Sequence, residues 1–219
     1  MNLSSCPICA IGSNGRSPAI ATLFPGWPAG QEVVFETDRV RVILDAAPLE
    51  IGHVLIAPKV HSTALIEVWD ELEGEISEVR QWVLNKLTSA GIKDIAECEH
   101  GSFSPTADRS CVTHAHLHVV PCRFSILKEF QSAGLYFDPI NSLRLRKRLQ
   151  GEYIYLRDID GSAYVASADE FESQLFRRVY ARSVGSRVWH WHDAILFAET
   201  IGTREKIQNG LRIFAPRSI

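Results

Sequence analysis

Three histidines alternate with apolar residues in His114-Ala115-His116-Leu117-His118-Val119-Val120-Pro121, and no other feature restricts the fold of this chain so strongly. Successive side chains of a β-strand point to opposite faces, so His114, His116 and His118 are expected on one face and Ala115, Leu117 and Val119 on the other. The apolar face needs a core to cover it. On the opposite face neighbouring histidines stand about 6.6 Å apart, comparable to a phosphate group with its substituents. An imidazole can attack phosphorus, a protonated neighbour can donate to the leaving oxygen, and histidine titrates near neutral pH, so one strand face can hold both roles. The plainer alternative is three solvated ring positions; strict alternation backed by apolar residues favours a site.

The segments around this strand predict a mixed fold. Val33 to Phe35 and Val40 to Leu44 flank Thr37-Asp38-Arg39 and read as a hairpin, and Val54 to Ala57, between Gly52 and Pro58, as another strand. Leu72, Ile76, Val79, Val83 and Leu87 recur at helical spacing, which predicts a helix over Trp69 to Ala90 that ends at Gly91. A strand is expected within 92–112, then a polar loop from Ser102 to Ser110, then the histidine strand over Val112 to Pro121. Residues 12–31, rich in Gly, Pro, Ser and Asn, predict an irregular connection. Past Pro121, Tyr153 to Leu156 and Tyr164 to Ala166 flank the turn signal Asp158-Ile159-Asp160-Gly161, and helices are expected over Phe171 to Arg182 and Ala194 to Glu205. A domain boundary is placed near residue 125.

Charge and cysteine content narrow the function. The 23 Lys and Arg against 26 Asp and Glu leave a formal net charge of −3, too balanced for a sequence-independent nucleic-acid binder or a polybasic membrane-surface protein. No run of about 18 apolar residues is present, and Met1 to Ala10 lacks the pattern of a secretory signal, so a cytoplasmic location is expected. Five cysteines in a reducing compartment read as thiols or metal ligands rather than a disulfide framework. Cys6-Pro7-Ile8-Cys9 has the spacing of a tetrahedral metal knuckle; a redox pair is the competing reading, disfavoured because no βαβ pattern surrounds it. Cys98 and Cys122 are expected to be core thiols.

Residues 114–120 match throughout the His-φ-His-φ-His-φ-φ signature, with φ apolar, of the histidine triad (HIT) superfamily of nucleotide hydrolases and transferases, which this chain resembles. Leu44-Asp45-Ala46-Ala47-Pro48 followed by Gly52-His53-Val54-Leu55-Ile56-Ala57-Pro58-Lys59-Val60-His61 is similar to a second family stretch, Leu-Asp-x-x-Pro and then Gly-His-φ-φ-φ-x-Pro-Lys-x-His. The likeness spans roughly residues 6–122. It implies an α+β fold with an antiparallel sheet and flanking helices, and assembly as a homodimer; the segment pattern adds a C-terminal α/β extension over 126–219, packed on a catalytic domain over residues 1–125.

Carried over by position, the resemblance implies that His116 attacks the α-phosphate to give a nucleotidyl-imidazole intermediate and that His118 contacts the same phosphate and assists the leaving group. Asp45 would hold the ribose hydroxyls; a carboxylate capping the turn before Pro48 is the alternative. His53 falls in the family-like stretch without a chemical role. The residues before the triad, Ser110-Cys111-Val112-Thr113, depart from the Gln-Ser-φ-φ of many relatives, so either Ser110 or Cys111 is expected to donate to phosphate, and His100-Gly101 stands where relatives carry Asn-Gly, making His100 a candidate phosphate ligand or acid. Some relatives pair an N-terminal Cys-x-x-Cys with the histidine of Pro-Lys-x-His and the first triad histidine, which implies a structural zinc site of Cys6, Cys9, His61 and His114. The expected activity is hydrolysis of a phosphoanhydride or phosphoramidate in a dinucleoside polyphosphate or an adenylated amine. A nucleotidyltransferase is second, disfavoured because uridylyl-type transferases carry Gln at the place of His118. A catalytically silent zinc-containing nucleotide-binding module is third. In the last third, Trp189-His190-Trp191-His192-Asp193 reads as aromatic packing on the sheet, and Arg144 to Arg148 as a solvated charge run.

Overall fold

Val40, Val42 and Leu44 alternate with Ile43, and Val54 and Ile56 with Leu55, so the hairpin segments present two apolar faces and require cover on both. The computed structural model describes residues 6–14, 23, 31–103, 114–141, 151–168, 174–197 and 202–215. Its strands are β1 (Val33–Glu36), β2 (Val40–Leu44), β3 (Val54–Pro58), β4 (Ile95–Ser102), β5 (Leu117–Pro121), β6 (Asp138–Ile140), β7 (Glu152–Arg157) and β8 (Ala163–Ser167). They form one sheet in the order β1-β2-β3-β5-β4-β7-β8-β6, with every neighbouring pair antiparallel. With its flanking helices this is the α+β architecture that the resemblance implied. The β7-β8 hairpin lies where the Asp158 to Gly161 turn predicts it, and β7 pairs with β4 from Glu97↔Arg157 to Ser102↔Glu152. The C-terminal part of the chain thus continues the sheet that holds the histidines.

One face packs on helix α2 (Leu65–Ser89), where Val40, Val42, Val54, Ile56, Leu117 and Val119 meet Leu72, Ile76, Val79, Val83 and Leu87. Phe214 of α6 (Thr203–Phe214) joins the same cluster. Each such side chain taken fully from water contributes about 1.5–3 kcal/mol. On the other face, helix α1 (Pro7–Asn14) sets Ile8 and Ile11 against Ile43 and Ala57. Beside it, α3 (Ile126–Ser132) and α4 (Leu175–Ser183) pack Ile126, Phe130, Leu175 and Phe176 on Cys98, Val120, Ile154 and Leu156. A short helix, α5 (Trp191–Leu196), follows α4. Cys98 and Cys122 are buried, as the sequence predicts. Among the described residues no helix is long and apolar enough to cross a membrane.

Several boundaries differ from expectation. Helix α2 begins at Leu65 rather than Trp69, because the Leu65 amide donates to Glu99 Oε1 at 2.6 Å and the Thr63 amide to Glu67 Oε2 at 3.2 Å. That cap comes from a neighbouring strand, which local periodicity cannot reveal. Burial pushes the Glu99 carboxyl up to about 8. Strand β5 begins at Leu117, so His114 and His116 lie ahead of the ladder; residues 111–113 are outside the described residues. Helix α1 reaches Asn14, into the stretch predicted to be irregular. The single helix expected over Ala194 to Glu205 is two: α5 stops at Leu196, and α6 starts after Gly202, whose φ of 70° an uninterrupted helix does not accommodate. The charge run from Arg144 to Arg148 lies outside the described residues.

Candidate functional site

His118 pairs across the sheet with Leu55 of β3 and with Cys98 of β4, which places it on the face that α1 and α4 cover. Ala115, Leu117 and Val119 enter the opposite core, as strand alternation requires. Between α1 and α4 a cleft with a cavity volume of about 80 Å³ opens over the histidines. Pro7, Ile8, Ile11, Ile43 and Leu55 make its apolar part, while Asp45, His116, His118 and Arg177 make its polar part. A single cleft thus joins an apolar lining to two of the triad imidazoles.

The hydrogen bonds assign the tautomers in a chain. The Leu49 amide donates to His53 Nδ1 at 3.1 Å, so the neutral ring carries its proton on Nε2 and donates it to His118 Nδ1 at 2.9 Å. His118 therefore bears its proton on Nε2, 3.2 Å from His116 Nε2. His116 in turn donates from Nδ1 to the His114 carbonyl at 2.7 Å, which leaves the Nε2 lone pair facing the cleft and His118. One backbone amide at Leu49 thereby sets the tautomer of His118, one ring beyond His53, while the His114 carbonyl sets that of His116.

Asp45 balances this cluster. Its Oδ1 accepts from the Ala47 amide at 2.7 Å, closing the turn before Pro48, while Oδ2 lies 3.4 Å from His53 Nε2 and 3.9 Å from His118 Nδ1. One oxygen therefore caps the turn, the alternative raised for this carboxylate, while the other faces His53, His118 and Arg177. Burial by itself would raise the Asp45 carboxyl, yet His53, Arg177 and the Ala47 amide outweigh it and hold the group below its ordinary value. Burial lowers His53 to about 4, and it lowers His116 and, more strongly, His118. The resting imidazoles are neutral at physiological pH.

Arg177 of α4 was not singled out from sequence. It donates from Nη1 to Asp45 Oδ2 at 3.0 Å, from Nη2 to the Ala47 carbonyl and from Nε to the Trp189 carbonyl at 3.0 Å. His53 was likewise left without a role, although the Gly52-His53 step into β3 marked its position. Trp191, expected to pack on the sheet, lines the cleft instead. His100 does not line it: its Nε2 is 3.0 Å from Glu152 Oε2 of β7, although it is near enough to His116 to help depress that imidazole. Ser110 and Cys111 lie outside the described residues.

A second cluster lies beside the first. Cys6, Cys9, His61 and His114 bring one ligand atom each within 4.8 Å of one another. His114 Nδ1 is 3.5 Å from Cys6 Sγ and 3.4 Å from Cys9 Sγ, and His61 Nδ1 is 3.3 Å from Cys9 Sγ. Around a tetrahedral zinc, with Zn–S near 2.3 Å and Zn–N near 2.0–2.1 Å, sulfur and nitrogen ligands stand about 3.6 Å apart. His114 Nε2 donates to the Pro58 carbonyl at 2.9 Å, which leaves Nδ1 unprotonated toward the sulfurs and supplies the outer bond that orients a metal-binding imidazole. Burial pushes the Cys9 thiol up to about 11, so a thiolate there needs a cation. Asp45, His53 and His118 also converge, but His53 and His118 share a proton and Arg177 already provides a cation.

Comparisons with known proteins place similar sequences in one family. The family model described as HIT domain matches residues 29–125. An uncharacterized HIT-like protein of Borreliella burgdorferi is 30% identical over 112 residues, covering 51% of this chain and 76% of the relative. A HIT-like protein of Mesomycoplasma hyorhinis is 32% identical over 93 residues, covering 41% and 78% respectively. Among solved structures, a zinc-bound histidine triad family protein from Mycobacterium smegmatis aligns with a TM-score of 0.42 at 25% identity, covering 56% of this chain and 78% of that one. A histidine triad nucleotide-binding protein from Sulfolobus tokodaii aligns with a TM-score of 0.40 at 21% identity, covering 53% and 68%.

Proposed function

Since this chain belongs to the HIT family, we propose that it is a nucleotide-acting hydrolase that cleaves a phosphoanhydride or phosphoramidate at the α-phosphate through a nucleotidyl intermediate on His116. The observation that carries this reading is the His116 Nε2 lone pair, freed by the Nδ1 bond to the His114 carbonyl and set at the polar end of an apolar cleft. The nucleoside occupies the apolar part, its ribose near Asp45.

In the first step the Nε2 lone pair forms an N–P bond, and the bond from phosphorus to the leaving oxygen or nitrogen breaks with its electron pair on the leaving group. That group takes a proton from His118. To give one up, His118 must start as an imidazolium, so the competent state carries one added proton on the His53–His118 pair. The Asp45 carboxylate offsets that charge, and the incoming phosphate opposes the effect of burial. In the second step water attacks phosphorus, its proton passes to His118, and the N–P electron pair returns to His116, releasing a nucleoside monophosphate.

Zinc at Cys6, Cys9, His61 and His114 belongs to the same proposal. Bound there, it supplies a closed four-ligand crosslink with no open position for water. The four residues tie α1 to the segment before β5, and so hold Ile8 and Ile11 over His116.

Mass spectrometry after incubation with dinucleoside polyphosphates and nucleoside phosphoramidates tests the reading. The expected result is turnover with an acid-labile nucleotidyl adduct that disappears in His116→Ala. Binding without turnover across the panel replaces the hydrolase with a nucleotide-binding module, and transfer to an added acceptor in preference to water replaces it with a transferase.

A further inference from the structure

Resting on the nucleotide reading above, we propose that the C-terminal part of the chain builds the aromatic wall of the cleft: Trp191 stacks on the nucleobase, and Gln174 and Arg177 are positioning residues that hold it there. Trp191 lines the same cleft as Ile8, Ile11, Leu55 and His116, and it is the aromatic residue among those that line it. An apolar chamber with one aromatic wall suits a flat, hydrophobic ring, and the imidazoles at its far end suit the phosphate attached to that ring.

The wall is held from below by two buried side chains. Gln174 Oε1 accepts from the Trp191 amide at 3.1 Å, and the Trp189 carbonyl accepts from Arg177 Nε at 3.0 Å. Gln174 is 5% exposed and Arg177 3%. Gln174 also has a φ of 59°, and it is the single non-glycine residue with positive φ among the described residues. A left-handed conformation in a residue of this kind persists where its surroundings enforce it. Here it occurs in the residue whose side-chain oxygen accepts from the Trp191 amide. The indole also meets the His192 ring, with centroids 3.6 Å apart and the planes tilted, and His192 is stacked on His190 at 5.2 Å. The indole is therefore backed and tethered, with the cleft beside it. Because Arg177 also grips Asp45, the same guanidinium that holds the aromatic wall touches the acid at the ribose end, so base and ribose contacts are fixed together.

Stacking is tolerant of base identity, since every base has an aromatic face. The wall distinguishes nucleotides from sugar phosphates rather than one base from another.

The test is binding of AMP and of ribose 5-phosphate, neither of which needs turnover, followed by tryptophan fluorescence and calorimetry. In the wild type AMP quenches the fluorescence. Trp191→Phe abolishes most of the quench while binding AMP within a few-fold, because a ring remains. Trp191→Ala weakens AMP about tenfold to hundredfold and leaves ribose 5-phosphate unchanged. Gln174→Gly, which accepts the same φ without strain, removes the amide tether together with the rest of that buried side chain; it lowers the quench and weakens AMP several-fold while ribose 5-phosphate binding is unchanged. Wild-type AMP affinity in Trp191→Ala overturns the proposal, as does failure of the wild type to bind AMP. The outcome is separable from the hydrolase reading: Trp191-dependent AMP binding without turnover upholds the wall and removes the enzyme, whereas His116-dependent turnover with an unaltered Trp191→Ala does the reverse.

Discussion

Arg177 Nη1 donates to Asp45 Oδ2 at 3.0 Å across 132 residues of sequence, and the two side chains are 4% and 9% exposed. The contact joins the turn after β2 to helix α4. Two buried charges are costly to bring out of water, so the pair is tolerated because each partner has others: Ala47 and Trp189 carbonyls for the guanidinium, the Ala47 amide and His53 for the carboxylate.

Removing one partner leaves the other charge buried. Arg177→Ala is expected to destabilise the protein by about 3–5 kcal/mol, and the combination of Asp45→Asn with Arg177→Met by less than the sum of the two single changes. Urea unfolding checks this through midpoints at unchanged m-values. Strict additivity would mean that the two side chains are not coupled.

Acid should weaken the fold through His53. Its imidazole ordinarily titrates at 6.5, and burial lowers it to about 4, so below pH 6.5 the unfolded chain takes up a proton that the folded chain does not. The stabilisation is complete above that pH and is lost as the pH falls from 6.5 to about 4, by roughly 3 kcal/mol at ~1.4 kcal/mol per unit. Urea midpoints measured across this interval should slope less in His53→Gln than in the wild type. Identical slopes would remove His53 as the source.

Zinc should be found in stoichiometric amount by plasma mass spectrometry, and chelation should lower the melting temperature. Cys9→Ala should lose the metal and resemble the chelated wild type, since the four-ligand tie of α1 is then broken and the apolar contacts of Ile8 and Ile11 remain. Metal-free protein with a titratable Cys6–Cys9 disulfide would instead support the redox pair.

Two glycines should respond oppositely to alanine. A Cβ on Gly101 would meet the Tyr153 ring at 2.3–2.5 Å, because the two residues pair across β4 and β7 and the tyrosine is fully buried. Gly101→Ala is expected to cost about 1–3 kcal/mol. Gly74, exposed within α2 with nothing within 4 Å of its Cβ position, should gain about 0.5–1 kcal/mol on the same change. Thermal unfolding of both variants decides, and a neutral Gly101→Ala would show that the Tyr153 ring can yield.

The elements read most accurately from sequence are those whose cause is local. The hairpin of β1 and β2, the strand β3 and the body of α2 follow from side-chain period, and the β7-β8 hairpin from its turn residues. The errors fall where a distant group intervenes. Glu99 extends α2 upstream to Leu65, and the approach of His114 to Cys6 and Cys9 and to the Pro58 carbonyl accompanies the late start of β5. The pairing of His100 Nε2 with Glu152 of β7 likewise comes from a strand that local sequence does not reveal.

What the sequence determined by itself is the chemistry on offer: imidazoles on one strand face, an acid before Pro48 and a Cys-x-x-Cys, since alternation and spacing are properties of neighbouring residues. Tertiary structure alone decided how those groups are protonated and enclosed. The Leu49 amide, His53, Arg177, Gln174 and Trp191 come from segments separated by a hundred residues and more, and no periodicity encodes which of them meet when α4 and α1 close over the same face of the sheet.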